Sequence, residues 1–293
     1  MPLARRLIVS VIALLTMVAV TGCDLRLAVP PGEAPVRYRD EVFTTVTRTN
    51  GVVYGSAVNQ DGTTATLALD VYQPSGDTNP TRPVIVFVHG GSFCCGDRNS
   101  PEIVDEANTF AKKGFVTASI TYRLSEHGCT QITVECINAI EDAREDAQAA
   151  VRFFRRYATT YKVDVGRIAI AGTSAGAITA LDVAFGPDEA GTSGNPGYDS
   201  SVSAAVSLSG ARILQHPDRG EAAVLLFHGD ADTVVPYQWA VDTKNEADAA
   251  GVHAELETWP GEGHVPYAQH RQQIIDETTN FLWWTMNLQN ATT

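Results

Sequence analysis

Residues 169–178 read AIAGTSAGAI: two glycines and two small hydroxylated residues set between apolar ones. Within them, Gly172-Thr173-Ser174-Ala175-Gly176 fits the pattern G-x-S-x-G. In that pattern the glycines permit a sharp turn from strand to helix, which thrusts the serine out at the carboxyl edge of a sheet. A serine hydroxyl is a poor nucleophile at neutral pH and needs a base, and the base needs an orienting acid. Both types lie downstream: FHGDADTVVPY (227–237) offers Asp230 and Asp232, and PGEGHVPY (260–267) offers His264. The chain order is therefore Ser, Asp, His, and charge alone does not separate the two aspartates. Upstream, HGGSF (89–93) places small residues where backbone N–H groups can approach a developing oxyanion.

These residues need a scaffold, and the surrounding pattern predicts one. VIVFVHGG after Pro83 is a continuous apolar run suited to a strand buried on both faces. FVTASITY, RIAIAG, SAAVSLSG, AVLLFHGD and VHAELETWP read as further strands. Helical stretches are predicted at 102–113, 139–161, 175–185, 238–250 and 266–286, between the strands. The long helix has acids at its start (Glu141, Asp142, Glu145, Asp146) and Arg152, Arg155, Arg156 and Lys162 at its end, as the helix dipole prefers. Ahead of this, EVFTTVTRTNGVVYGSAV and TATLALDVYQP carry turn signals at Asn50-Gly51 and Asp61-Gly62 and read as an antiparallel meander. The expected fold is α/β: a mostly parallel central sheet with helices on both faces and an antiparallel N-terminal meander. GPDEAGTSGNPGYD (186–199) reads as a surface loop.

With 293 residues, 44% of them hydrophobic and 19% charged, the chain can bury a full core. Its net charge of −13, without a Lys/Arg block, argues against nucleic-acid binding. Arg5 and Arg6 precede a short apolar run, and Val20-Thr21-Gly22-Cys23 resembles the lipobox of bacterial lipoproteins. That resemblance implies cleavage before Cys23, a diacylglyceryl group on it, and a lipid-anchored location on the extracytoplasmic face of a bacterial membrane. Residues 1–22 are then a signal peptide, 23–40 with three prolines a tether, and 41–288 the α/β domain. In an exported protein Cys94, Cys95, Cys129 and Cys136 are disulfide candidates. Four cysteines allow three pairings. A Cys94–Cys95 bond would be vicinal and strained, and either alternative cross-links the loop near Cys94 to the segment near Cys129. No CxxC or HxxxH spacing supports a metal site.

Taken together, the four motifs over residues 60–286 resemble the α/β-hydrolase esterases, in particular secreted carboxylesterases of the hormone-sensitive-lipase-like and feruloyl- or acetyl-esterase-like groups. The resemblance implies Ser174 as nucleophile and His264 as general base. It selects Asp232 over Asp230, because such proteins usually read HGxxDxxVP with the acid four residues after the histidine. It implies an oxyanion hole from the N–H groups of Gly91, Ser92 and Ala175, with Ser92 standing where the family often has glycine. His89 is expected to be structural, and the remaining histidines have no motif role. The implied activity is hydrolysis of short-chain acyl esters through an acyl-enzyme, without metal or organic cofactor, on a small-molecule or polymer-linked ester. A prolyl-oligopeptidase-type peptidase, an acyltransferase and a non-catalytic binding lipoprotein on the same fold are the rival readings. The gap between predicted strands at 210–222, 13 residues, has room for a loop or one short helix but no helical cap. An open pocket is expected, walled by this gap, the Cys129–Cys136 segment and the loop from Phe93 to Cys95.

Overall fold

Arg82–Val88 (RPVIVFV) has no polar face, and every residue in it is buried. Val84, Val86 and Val88 enter one core cluster, whereas Ile85 and Phe87 enter another. A strand covered on both faces requires that two-residue alternation. In the computed structural model, which describes residues 26–291, this strand is β3. The elements are β1 (Val46–Val58), β2 (Thr64–Pro74), β3, α1 (Pro101–Lys112), β4 (Val116–Ile120), α2 (Val134–Arg156), α3 (Ala158–Tyr161) and β5 (Val163–Thr173). There follow α4 (Ala175–Ala184), β6 (Ala204–Leu208), β7 (Ala223–Gly229), α5 (Tyr237–Ala250), β8 (Ala254–Trp259) and α6 (Tyr267–Thr285). One sheet runs in the order β1-β2-β4-β3-β5-β6-β7-β8. β1 and β2 pair antiparallel, as do β2 and β4, and every later pairing is parallel. Helices α2, α4 and α5 contribute to the core on the Val84 face, and α1 and α6 to that on the Ile85 face. The expected α/β architecture is the observed one.

Several expectations change. Asn50-Gly51 is not a turn: β1 runs through it, with a register shift against β2 between Thr49 and Val52. Gly51 takes the left-handed φ of 67° that such a bulge uses, and its N–H donates to Asp70 Oδ1 at 2.6 Å. The acids of α2 do more than face a dipole. Asp142, Glu145 and Asp146 gather on the guanidinium of Arg123, with Asp142 at 2.7 Å and the fully buried Asp146 at 2.9 Å. The helix also starts five residues earlier than predicted, because Thr133 caps it by accepting the Cys136 N–H.

The stretch expected as a tether is docked from residue 26 onward. Arg26 pairs with Glu257 of β8 and Glu277 of α6, Trp284 donates to the Ala28 carbonyl, and Tyr38 is buried against Phe115. Folded structure therefore begins ahead of residue 41, and it continues past 288 to the buried Ala291. The signal segment 1–22 and Cys23 lie outside the described residues. Finally, Cys129 and Cys136 are bonded, with Cα atoms 4.8 Å apart, while Cys94 and Cys95 are free. Neither cross-link between the two segments forms, because Cys136 in the first turn of α2 faces Cys129 and satisfies it locally.

The Arg123 cluster yields a stability prediction. Removing one member of a buried ion pair leaves the other uncompensated and costs about 3–5 kcal/mol. Arg123→Ala should therefore lower the melting temperature by about 10 °C in a thermal melt followed by circular dichroism. The double variant Arg123→Ala/Asp146→Ala should lose less than the sum of the single losses.

Candidate active site

Ser174 is the single residue between β5 and α4, with φ 55° and ψ −117°. A non-glycine residue held there carries strain of about 1–3 kcal/mol, which the packing on either side must offset. The flanking glycines are demanded by close approach. A Cβ on Gly172 would stand 2.2 Å from the Gly176 carbonyl oxygen, and one on Gly176 would stand 2.0 Å from that of Val88. The Ser174 N–H donates to the Leu208 carbonyl at 2.8 Å, so the turn is fixed to β6 as well.

The serine hydroxyl meets His264 Nε2 at 2.8 Å, and His264 Nδ1 meets Asp232 Oδ2 at 2.7 Å. Asp232 Oδ1 accepts the N–H groups of Val234 and Val235 at 2.8 and 3.1 Å, so the carboxylate has a fixed orientation. Asp230 points elsewhere, accepting the Gly261 N–H at 2.7 Å. The backbone thus separates the two aspartates that charge could not.

Two supporting residues were not singled out from sequence. His228 Nε2 lies 2.9 Å from the Val235 carbonyl and 3.2 Å from Asp232 Oδ2. Burial pushes its pKa down and keeps the ring neutral, and the carbonyl partner requires the proton on Nε2. His228 therefore donates toward the same carboxylate oxygen that receives His264. Its position four residues ahead of Asp232 was the available signal. Ser209 is the second: its hydroxyl accepts the Val265 N–H at 3.0 Å. Val265, a β-branched residue at φ 52°, is thereby held beside His264 in a conformation it would otherwise avoid.

Gly91, Ser92 and Phe93 all have positive φ, at 119°, 52° and 61°. The N–H groups of Gly91, Ser92 and Ala175 find no acceptor among the described residues. Ser92 and Ala175 line the same cavity as Ser174; Gly91 does not. His89 is buried and structural, with Nδ1 2.6 Å from the Gly90 carbonyl and its ring stacked on Tyr122.

A cavity of about 160 Å³ opens beside Ser174, with apolar walls from Phe93, Ile140, Ile178, Ile213, Val235 and Trp239. Residues 129–132, Phe93 and Ile213 represent the three walls expected from sequence. Val234 and Trp239, from the chain entering α5, were not expected; the apolar VVPYQW run after the acid was the signal. Residues 210–222 form a loop without a helix. Asp182, at the end of α4, holds that loop by accepting the N–H groups of Ile213, Leu214 and Gln215, each at 3.2 Å. Burial raises the Asp182 pKa to about 7, against the opposing pull of those amides and of Arg144. Among the described residues no group of His, Cys, Asp and Glu is placed to hold a metal ion.

Comparisons with known proteins agree with this layout. A family model described as BD-FAE matches residues 69–211, and that of the prolyl oligopeptidase family matches residues 198–290. Ser174 falls in the first, Asp232 and His264 in the second. Juvenile hormone esterase of Heliothis virescens is 33% identical over 107 residues, 35% of this chain and 18% of that protein. Esterase LipI of Mycobacterium tuberculosis is 30% identical over 126 residues, 42% of this chain and 36% of that protein. The matched stretches thus span well under half the length of these relatives. Among solved structures, an esterase of Thermogutta terrifontis with butyrate bound superposes with a TM-score of 0.65 at 23% identity, covering 78% of this chain and 92% of that one. A truncated carbohydrate esterase from gut microbiota gives 0.64 at 22%, covering 84% and 98%. The fold is that of the α/β-hydrolases.

Two predictions follow from the geometry. Asp232→Asn should lower kcat on a p-nitrophenyl ester by about 10³–10⁴ through loss of the orienting carboxylate, and Asp230→Asn by no more than a few-fold. The second concerns Asp182. Its folded pKa near 7 exceeds the ordinary 3.8, so between those values the folded chain binds more protons than the unfolded one. Its contribution to stability therefore falls as pH rises through that window and is level above it. Urea unfolding of Asp182→Asn beside the parent should show the variant gaining relative stability from pH 4 to pH 8.

Proposed function

We propose that this α/β-hydrolase is a serine carboxylesterase acting on short-chain acyl esters, including those of carbohydrates or other bulky alcohols. The observation that carries the reading is the unbroken relay from Ser174 Oγ through His264 to Asp232, at 2.8 and 2.7 Å. In this reading His264 Nε2 takes the Ser174 proton as Oγ attacks the ester carbonyl. Charge then develops on the carbonyl oxygen, where the unpartnered N–H groups of Ser92 and Ala175, both lining the cavity, can receive it. His264 next returns the proton to the departing alcohol, leaving an acyl group on Ser174. Water, activated by the same imidazole, releases the acid. Asp232 keeps the Nδ1 proton directed at itself, so that Nε2 is the free base.

The apolar cavity of about 160 Å³ beside Ser174 suits a short acyl chain, and the loop at 210–222 leaves the alcohol side without a helical cap. Relatives described as esterases, and a structural neighbour with butyrate bound, support the same reading. The prolyl oligopeptidase match over 198–290 favours a second reading, cleavage of a peptide bond by the same triad. Cys23, outside the described residues, is proposed as the lipid anchor. Because residues 26–40 are docked, such an anchor would hold the domain close to the membrane.

A series of p-nitrophenyl esters from acetyl to decanoyl tests substrate class. The kcat/KM should peak at or below butyryl and fall about tenfold or more by octanoyl, as a small pocket overfills. Preference for a peptidyl anilide over every ester would favour the peptidase. With tributyrin, the rate should saturate smoothly, and a jump at the solubility limit would reveal a moving apolar lid. Cys23→Ser should abolish lipid labelling; a lipid-free wild-type Cys23 would refute the anchor.

A further inference from the structure

Directly after Phe93, which lines the Ser174 cavity, two thiols stand side by side. Cys94 Sγ and Cys95 Sγ are 2.8 Å apart; Cys95 is exposed and Cys94 half-buried. Their backbone N–H groups converge on one acceptor, the Gly91 carbonyl, each at 3.0 Å. That carbonyl belongs to the loop whose Ser92 lines the cavity. Elsewhere the loop is held by Cys129 N–H on the Ser92 carbonyl at 2.9 Å and by Ser125 N–H on the Phe93 carbonyl at 2.7 Å. Three successive residues with positive φ keep that shape only while such bonds persist.

We infer that Cys94 and Cys95 form a reversible dithiol–disulfide couple that controls the loop presenting Ser92 to Ser174. Adjacent Cα atoms are about 3.8 Å apart, below the 4.4–6.8 Å usual for a disulfide. A bond between neighbours closes a ring across a single peptide, and the misfit makes it easily reduced. This pair is therefore a labile couple. Cys129 and Cys136, with ordinary separation, are the staple. Closing the ring reorients the Cys94–Cys95 peptide, so the two N–H groups no longer both reach the Gly91 carbonyl. Ser92 then loses its register with Ser174.

The oxidant is a small-molecule disulfide. The thiolate of exposed Cys95 attacks one of its sulfurs, forming a mixed disulfide and releasing one thiolate. Cys94, after losing its proton to solvent, displaces the second thiolate and forms the Cys94–Cys95 bond. Two electrons pass from the protein to the external disulfide, which leaves as two thiols.

The effect on turnover rests on the proposed role of Ser92; the couple itself does not. The full chain is equilibrated across ratios of reduced to oxidised glutathione, alkylated and digested with trypsin. The peptide ending at Arg98 contains Cys94 and Cys95 and no other cysteine. On oxidation both sites should stop alkylating without gaining glutathione. Amide hydrogen exchange over 89–98 should rise about tenfold. The kcat on p-nitrophenyl butyrate should fall about tenfold or more with KM within about twofold, since oxyanion donors act in the transition state. Reduced glutathione should reverse all three, and Cys94→Ser and Cys95→Ser should each remove the response. Persistent alkylation at every ratio, or a formed disulfide with exchange and kcat unchanged, overturns the proposal. Thiols and exchange that respond in a chain with no esterase activity in either state would keep the couple and refute its control of an esterase.

Discussion

A carbonyl oxygen sets the limit on this site. At the end of β3 the Val88 oxygen lies so close to α4 that residue 176 has no room for a side chain, and residue 172 is pressed in the same way by the Gly176 carbonyl. Strand β5 can therefore pass into α4 through one residue in a forced conformation, and that residue is Ser174. Its hydroxyl stands at the carboxyl edge of the parallel strands because the turn leaves it nowhere else to go. The loops after β3, β6, β7 and β8 end at that same edge and bring in Ser92, Ser209, Asp232 and His264. If the turn relaxed by one rotamer well, the relay to His264 would be lost however well the other loops were placed.

The rest of the site is a set of loops, each pinned by a polar group. Asp232 is held by two backbone amides and approached by two imidazoles, so its second oxygen has one direction left for His264. Ser209 pins the strained Val265 beside the histidine, Asp182 pins the loop carrying Ile213, and Gly91 gathers the amides of Cys94 and Cys95. Buried polar groups at a site are expected to be satisfied, since each unsatisfied one costs about 1–3 kcal/mol. Here the same bonds that satisfy them also set the positions of groups facing the cavity. Stability and site geometry are therefore carried by the same contacts.

Much of this was legible in the sequence. The buried strands announced themselves as apolar runs, and G-x-S-x-G pointed to Ser174 because a strand pattern precedes it and a helix pattern follows, which is where β5 and α4 lie. What was hidden depended on partners distant in sequence. Asn50-Gly51 carries a turn signal, but Asp70 on the neighbouring strand captures its amide and turns it into a bulge. The acids of α2 matched a dipole pattern, yet Arg123 from the loop after β4 decides their role. The prolines of 30–35 suggested a free linker, and the acids on β8 and α6 that seize Arg26 are more than 200 residues away. The two aspartates of HGDAD differ only in the direction the backbone gives them. Cys129 is bonded to Cys136 in the first turn of a helix that Thr133 caps, a local placement that no count of cysteines contains.

The proposed function requires Ser174 to be an activated nucleophile and not merely a well-placed serine. Labelling with a p-nitrophenyl phosphonate, followed by peptide mapping, tests it without reference to any natural substrate. One phosphonyl group per chain is expected, on Ser174, absent in Ser174→Ala and formed far more slowly in His264→Ala. A folded protein that takes up no phosphonyl group, or takes it up elsewhere with Ser174 unmodified, would contradict it.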